Sequence, residues 1–296
     1  MLFLAICFFF ACENDDQPQR APSRYFGKLT VEGRERSFRI QIPEHDDAGS
    51  KVPVVFMLHG TGGGASQAER DYGWTEKATR ENFIIVYPEG VPGEGRLRIR
   101  TWNAGKCCQY AMDNNVNDVR FVGALLDHLI EKYPVDETRV YVAGMSNGAM
   151  LAYRLACEIP ARFAAIATVS GTMMVKSQCS ASQAIPLVHI HSRTDTKVPY
   201  AGGLGIGGYR FTPVDSAIQV IRDLNGCSQV TRTEHAGYTH ELIASCAEGT
   251  TMETYLLEDG GHSWPCGQRS SARSDVPSTA IRATDVIWEF FSRHKR

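Results

Sequence analysis

From residue 25 onward, apolar and polar positions alternate through 25–31 and again through 37–42, with Glu32-Gly33-Arg34 between them. Period-two alternation on both sides of a glycine-centred turn predicts a β-hairpin. The pattern then changes. Six short runs, 52–58, 83–87, 140–143, 163–169, 187–190 and 252–257, are dominated by apolar residues. Strands covered on both faces read this way, because no position looks out on water. Between most of them the period lengthens. In 117–133, Val119, Val122, Leu125, Leu126 and Leu129 fall on one helical face. Stretches 149–157, 215–224 and 280–294 are similar. Strands alternating with helices predict an α/β fold, with a mostly parallel central sheet and helices on both faces. No repeat or low-complexity linker interrupts 25–296, so one domain is expected there.

The N-terminus departs from this pattern. Residues 1–11 are almost all apolar. The run is too short for a bilayer span of about 20 residues and resembles the hydrophobic region of an export signal, expected over 1–12. It ends Phe9-Phe10-Ala11-Cys12, which resembles a bacterial lipoprotein cleavage box with Cys12 as the lipidated residue. The following Glu13-Asn14-Asp15-Asp16 resembles the surface-export tag of some Gram-negative lipoproteins. An ordinary cleaved signal is the alternative. Residues 13–24 are polar, contain two prolines and predict a flexible tether. These features predict a secreted bacterial protein, or an outer-membrane or cell-surface lipoprotein that touches membrane only through a lipid anchor.

Composition narrows the function classes. The 296 residues are 43% hydrophobic and 22% charged, enough apolar material for a large core. The net charge of -2 leaves no basic excess to neutralise phosphates, so no nucleic-acid partner is expected. Nine cysteines suit an oxidising compartment. They form no C-x-x-C pair, and adjacent Cys107-Cys108 is a poor zinc chelate, so structural disulfides are expected and no metal site.

The chemistry begins at Gly144-Met145-Ser146-Asn147-Gly148. It matches the G-x-S-x-G elbow of α/β-hydrolases. The apolar run 140–143 leads into it and a helical stretch follows. A sharp strand-to-helix turn there would lift Ser146 into the open as a nucleophile and aim the helix N-terminus at the reacting centre. Upstream, the 52–58 run ends in His59-Gly60-Thr61-Gly62-Gly63-Gly64. In this fold the loop after that strand gives one oxyanion N–H, here assigned to Thr61. Asn147, next to the nucleophile, gives the other. A phosphate loop is excluded because no Lys-Ser/Thr ending follows.

The acid and base are expected in the order Ser, acid, His. His262 lies directly after the last predicted strand, where a loop can bring an imidazole over Ser146. His189 and His191 lie in an apolar strand and suit a structural role. His235 and His240 sit in a polar stretch with no strand leading into them. Asp195 follows the 187–190 strand and is the expected acid. Its competitors are Asp215, Asp223, Glu234 and Glu241. Trp102 and Trp264 could stack on a sugar or aromatic acyl group, or pack as loop anchors. Asp118 reads as charge support for a helix N-terminus. Chemistry of this kind needs no metal or organic cofactor.

The chain resembles polyhydroxybutyrate depolymerase-like esterases and the feruloyl and acetylxylan esterases of carbohydrate esterase family one. The matching residues run through 54–265. They include Leu58-His59-Gly60, Trp102-Asn103 with Cys107-Cys108, Asn117-Asp118-Val119, Arg139-Val140-Tyr141, the Ser146 elbow, Phe163-Ala164-Ala165-Ile166-Ala167, Asp195 with Val198-Pro199-Tyr200, and Gly261-His262-Ser263-Trp264-Pro265. The resemblance implies an α/β-hydrolase with a Ser146, Asp195, His262 triad. It also implies disulfides Cys227–Cys246 and Cys108, or its neighbour Cys107, to Cys157. It implies a feruloyl or acetylxylan esterase, with a polyester depolymerase second. A non-catalytic surface binding lipoprotein is the distant alternative. Two departures, His191-Ser192-Arg193 and Trp264-Pro265-Cys266, alter residues beside the site but none of the triad.

Overall fold

The computed structural model describes residues 23–43, 50–180 and 183–296. The expected export signal, Cys12 and most of the tether lie outside the described residues. The first strand starts two residues inside the expected tether, at Ser23.

A ten-stranded sheet runs through the molecule. Its strands in chain order are β1 Ser23–Val31, β2 Arg34–Ile42, β3 Val52–Leu58, β4 Ile84–Pro88, β5 Val135–Met145, β6 Ala165–Val169, β7 Leu187–Ser192, β8 Gln229–His235, β9 Tyr238–Ala244 and β10 Met252–Leu257. The spatial order is β1-β2-β4-β3-β5-β6-β7-β10-β9-β8. The central strands, β4 through β10 in that order, are mutually parallel. Antiparallel pairs close both edges. The main helices are α1 Ala65–Asp71, α2 Trp74–Glu81, α3 Asp118–Lys132, α4 Asn147–Glu158, α5 Val214–Leu224 and α6 Ala283–Ser292. Among the described residues no helix is long and apolar enough to cross a membrane.

The apolar runs are continuous because both sheet faces are covered. On β3, Val54, Phe56 and Leu58 pack with Leu125 and Leu129 of α3 and Leu151 and Leu155 of α4. The alternate residues Val55 and Met57 pack with Ala68 of α1, Trp74 of α2 and Phe290 of α6. All of these are fully buried. At the opposite extreme, every residue of β8 is exposed. That explains why the β8–β9 hairpin escapes the sequence pattern, which shows no strand leading into the polar stretch of His235 and His240. With water on both faces, β8 carries no alternation. The first hairpin turns as expected at Glu32 and Gly33, whose φ values of 48° and 74° are the left-handed pair a two-residue turn uses.

Cys227–Cys246 form a disulfide, as the resemblance implied. The expected Cys108–Cys157 bond is corrected. Cys108 is joined to its neighbour Cys107, and Cys157 to Cys179. The reason is position along α4. Cys107 and Cys108 pack against Met150 near the start of that helix. Cys157 lies about 10 Å further along the helix axis than Met150, near the other end of α4, where Cys179 reaches it instead. Asp118 is also reassigned. It is buried and ion-paired to Arg36 at 2.7 Å, and its second oxygen accepts the Asn103 amide. It ties the Trp102 loop to β2 as well as standing at the start of α3.

Parallel strands deliver their C-terminal ends to one edge of the sheet. Here the loops after β3, β5, β7 and β10 carry Thr61, Ser146, Asp195 and His262 to that edge.

Candidate active site

Ser146 sits between β5 and α4 with φ 55° and ψ -119°, a strained backbone that only close packing sustains. The packing is backbone on backbone. A Cβ on Gly148 would collide with the carbonyls of Leu58 and His59, and one on Gly144 with the Gly148 carbonyl. The two glycines of the motif are therefore demanded by space.

The three expected residues meet. His262 Nε2 lies 2.9 Å from the Ser146 hydroxyl, and His262 Nδ1 lies 2.7 Å from Asp195 Oδ2. The Lys197 and Val198 amides donate to Asp195 Oδ1, each at 2.9 Å. Burial would raise the Asp195 carboxyl, but its hydrogen bond to His262 and the neighbouring imidazoles outweigh that and hold it below the usual carboxylate range. The rival carboxylates are engaged elsewhere: Asp215 with Tyr200, Asp223 with Gln219, and Glu234 and Glu241 with Arg232.

Thr61 lines the same cleft as Ser146. The next two amides are already committed, Gly62 to the Arg100 carbonyl and Gly63 to that of Gly60. Asn147 opens α4 directly after Ser146. Its buried side chain has a second task that the motif does not reveal. Oδ1 accepts the Trp102 amide at 2.7 Å and Nδ2 donates to the Trp102 carbonyl at 3.0 Å. Trp102 is wholly buried, with Nε1 donating to the His59 carbonyl. It anchors the loop and offers no face to a substrate, which removes it from the expected stacking residues. Trp264 stays at the cleft wall but is 3% exposed. It stacks on Tyr72 with centroids 4.7 Å apart and donates to Thr284.

Two further contributors, His59 and Asp275, carry no signal for their tasks in the sequence. His59 is fully buried and lowered to about 4 by that burial, so it is neutral. The Gly90 amide donates to its Nε2, so its proton is on Nδ1 and goes to the Gly60 carbonyl. It clamps the glycine loop. Asp275 accepts the His262 amide at 2.8 Å and pairs with Lys197 at 3.0 Å, bracing the histidine loop against the Asp195 loop. A carboxylate in a serine- and arginine-rich loop has no sequence signature for such a role. The cleft itself has a volume of about 310 Å³ and is lined by Tyr72, Met145 and Trp264 together with the polar side chains of Gln67, Ser270 and Ser274. Among the described residues, no group of three or more His, Cys, Asp or Glu side chains is placed to hold a metal.

Residues 37–242 match the family model described as esterase PHB depolymerase. The chain belongs to that family. It is a carboxylic ester hydrolase with the α/β-hydrolase fold, as the motifs had led us to expect. Among relatives, it is 29% identical over 264 residues to NocK of Nocardia uniformis subsp. tsuyamanensis, assigned by name as an esterase, covering 81% of this chain and 74% of that one. It is 25% identical over 285 residues to feruloyl esterase C of Emericella nidulans, covering 92% and 88%. Of two longer relatives it spans only 31% and 42%. Among solved structures, the acetyl xylan esterase from Aspergillus awamori superposes with a TM-score of 0.63 at 16% identity, over 90% of this chain and 99% of that one.

Proposed function

We propose that this esterase works through an acyl-enzyme on Ser146, with His262 as base and Asp195 as the carboxylate that orients it. The observation that carries the reading is the unbroken hydrogen-bonded line Ser146–His262–Asp195, at 2.9 and 2.7 Å. Ser146 Oγ attacks the ester carbonyl carbon and its proton passes to His262 Nε2. The Thr61 and Asn147 amides hold the oxyanion, each such donor lowering the barrier by about 3–4 kcal/mol. When the tetrahedral intermediate collapses, the alcohol leaves with the proton from His262. Water, deprotonated by the same imidazole, then releases the acid and restores the serine.

The substrate class we propose is a feruloyl or acetyl ester of plant polysaccharide. The support is the cleft's polar lining, Gln67, Gln268, Ser270 and Ser274, which offers hydrogen bonds to a hydroxyl-rich alcohol. A polyester substrate is the second reading. The exposed apolar residues Ile206, on the cleft, and Val276, between the cleft residues Asp275 and Pro277, favour it. We propose further that the chain is exported, with Cys12 as a lipid attachment site. Loss of labelled palmitate on Cys12→Ser would support the anchor, and equal labelling would refute it.

The first experiment is a hydrolysis panel of methyl ferulate, acetylated xylan, p-nitrophenyl acetate and polyhydroxybutyrate film, with Ser146→Ala as control. We expect Ser146→Ala to lose activity by about 10⁴-fold or more while remaining folded. Residual activity within tenfold of the parent would refute the nucleophile. Film clearing with weak activity on sugar esters would move the substrate to polyester. Failure of a fluorophosphonate probe to label Ser146 would favour a non-catalytic binding protein.

A further inference from the structure

Beneath the proposed triad lies a buried polar line that the reaction as described does not use. β7 carries His189 and His191 two residues apart, so both face the same side of the sheet. Both are 1% exposed. His191 Nε2 lies 2.8 Å from the Val198 carbonyl and 3.5 Å from Asp195 Oδ2. His191 Nδ1 lies 3.3 Å from His189 Nε2. His189 Nδ1 lies 2.7 Å from the Thr168 hydroxyl and 3.1 Å from that of Tyr153.

One atom settles every proton in this line. The Val198 carbonyl can only accept, so the His191 proton is on Nε2. Nδ1 of a neutral His191 is then an acceptor, and His189 Nε2 must donate to it. His189 Nδ1 in turn accepts from Thr168. Every ring nitrogen is satisfied with both imidazoles neutral. Burial, the dominant effect, pushes both below the ordinary histidine range, which agrees with that state. The titratable groups facing His191 are Asp195, His262, His189 and Tyr200.

The consequence falls on Asp195. Its Oδ1 is gripped by the Lys197 and Val198 amides, and the carbonyl of that same Val198 is what His191 holds. We propose that His191 is a positioning residue for the ester hydrolysis: its Nε2–H fixes the 197–198 backbone that aims Asp195 at His262, and His189 with Thr168 fixes the His191 tautomer. His191 touches neither substrate nor the reacting atoms. The strand position is therefore one where a phenylalanine or leucine would fill the space and leave the acid loop unheld.

The inference rests on the triad reading, and substitution separates the two. In His191→Asn the amide keeps the reach of Nδ1 toward His189 but loses the donor to Val198. In His191→Gln the amide reaches the Nε2 position. We expect His191→Asn to lower kcat by about tenfold or more with KM within about twofold, and His191→Gln to recover most of the loss. The far-downfield proton resonance of the His262–Asp195 hydrogen bond should vanish or move in His191→Asn and persist in His191→Gln. Folded His191→Asn with unchanged kcat and an unmoved resonance overturns the proposal. So does His191→Gln as impaired as His191→Asn, which would mark His191 as mere packing. Should His191→Asn fail to fold, Thr168→Val combined with Tyr153→Phe, which removes both hydroxyls within reach of His189 Nδ1, carries the test through the tautomer. A kcat loss of about threefold or more with a shifted resonance supports it, and no change in either overturns it. If Ser146→Ala stays active, the triad reading itself has failed. If Ser146→Ala is dead and His191→Asn is normal, only this inference has.

Discussion

Ser146 and His262 stand 2.9 Å apart, but the two sides of the cleft hold them by different means. The Ser146 side is rooted in the sheet. Backbone lies against backbone at Gly144 and Gly148, and Asn147, His59 and Trp102 lock together in an interior closed to water. The His262 side is a loop held by hydrogen bonds. Asp195, Asp275, Ser263 and Thr194 fasten its backbone and ring, and several of these groups are partly open to solvent. Steric contact between carbonyls leaves no room for adjustment, whereas a hydrogen-bonded loop can lose one tie and keep the others. Ser146 is thus fixed by the fold, and His262 by replaceable polar contacts.

The largest test of this contrast is Gly148→Ala. Its Cβ would meet backbone atoms of Leu58 and His59, which cannot turn away. We expect a stability loss of about 3 kcal/mol or more, read as a lower thermal midpoint together with lost activity. A folded, active variant would show that the elbow tolerates movement.

Acid should separate the two sides next. His59 titrates near 6.5 when unfolded and about 4 when folded, so the unfolded chain takes up a proton in that window that the native state refuses. Its contribution is complete above pH 6.5 and falls as pH drops toward 4, by about 3 kcal/mol, with His189 and His191 acting in the same direction. Asp195 and Asp275 are held below 3.8, so their contributions persist above that value and are lost only as pH falls further. Denaturant midpoints measured at about pH 7.5 and about pH 5 should therefore differ markedly. Equal midpoints would mean that the buried histidines admit protons.

On the loop side the expected effects are smaller. Asp275→Ala removes the acceptor for the His262 amide and should lower kcat by about tenfold with about 1–2 kcal/mol of stability lost. A variant losing stability but not kcat would make Asp275 a loop anchor only. Lys197→Met breaks only a partly exposed ion pair, and should shift stability by no more than about 1 kcal/mol, checked by the same melts. A larger loss would show that the pair itself holds the cleft closed.

Most of the central sheet could be read along the chain, because strands covered on both faces must be apolar at every position. Residues 52–58 and 252–257 are recovered to the residue. The β8–β9 hairpin could not be read, because an edge strand in water carries no pattern. The site shows the same division. Ser146, Asp195 and His262 each follow an apolar strand, and strand ends are visible in sequence. Asp275 and the tasks of His59, Asn147 and His191 depend on partners in other loops and strands.

Sequence alone determined the α/β alternation, the elbow glycines and the placing of Ser146, Asp195 and His262 in that order at strand ends, because each is local: a period, a turn, a residue at the end of a run. Only the tertiary structure decided that Cys157 bonds Cys179, that Trp102 is sealed in the core, and that Asp275 holds the His262 amide and His191 the Val198 carbonyl. These are contacts between segments far apart along the chain or facing one another in space, and no period records a partner that folding brings within 3 Å.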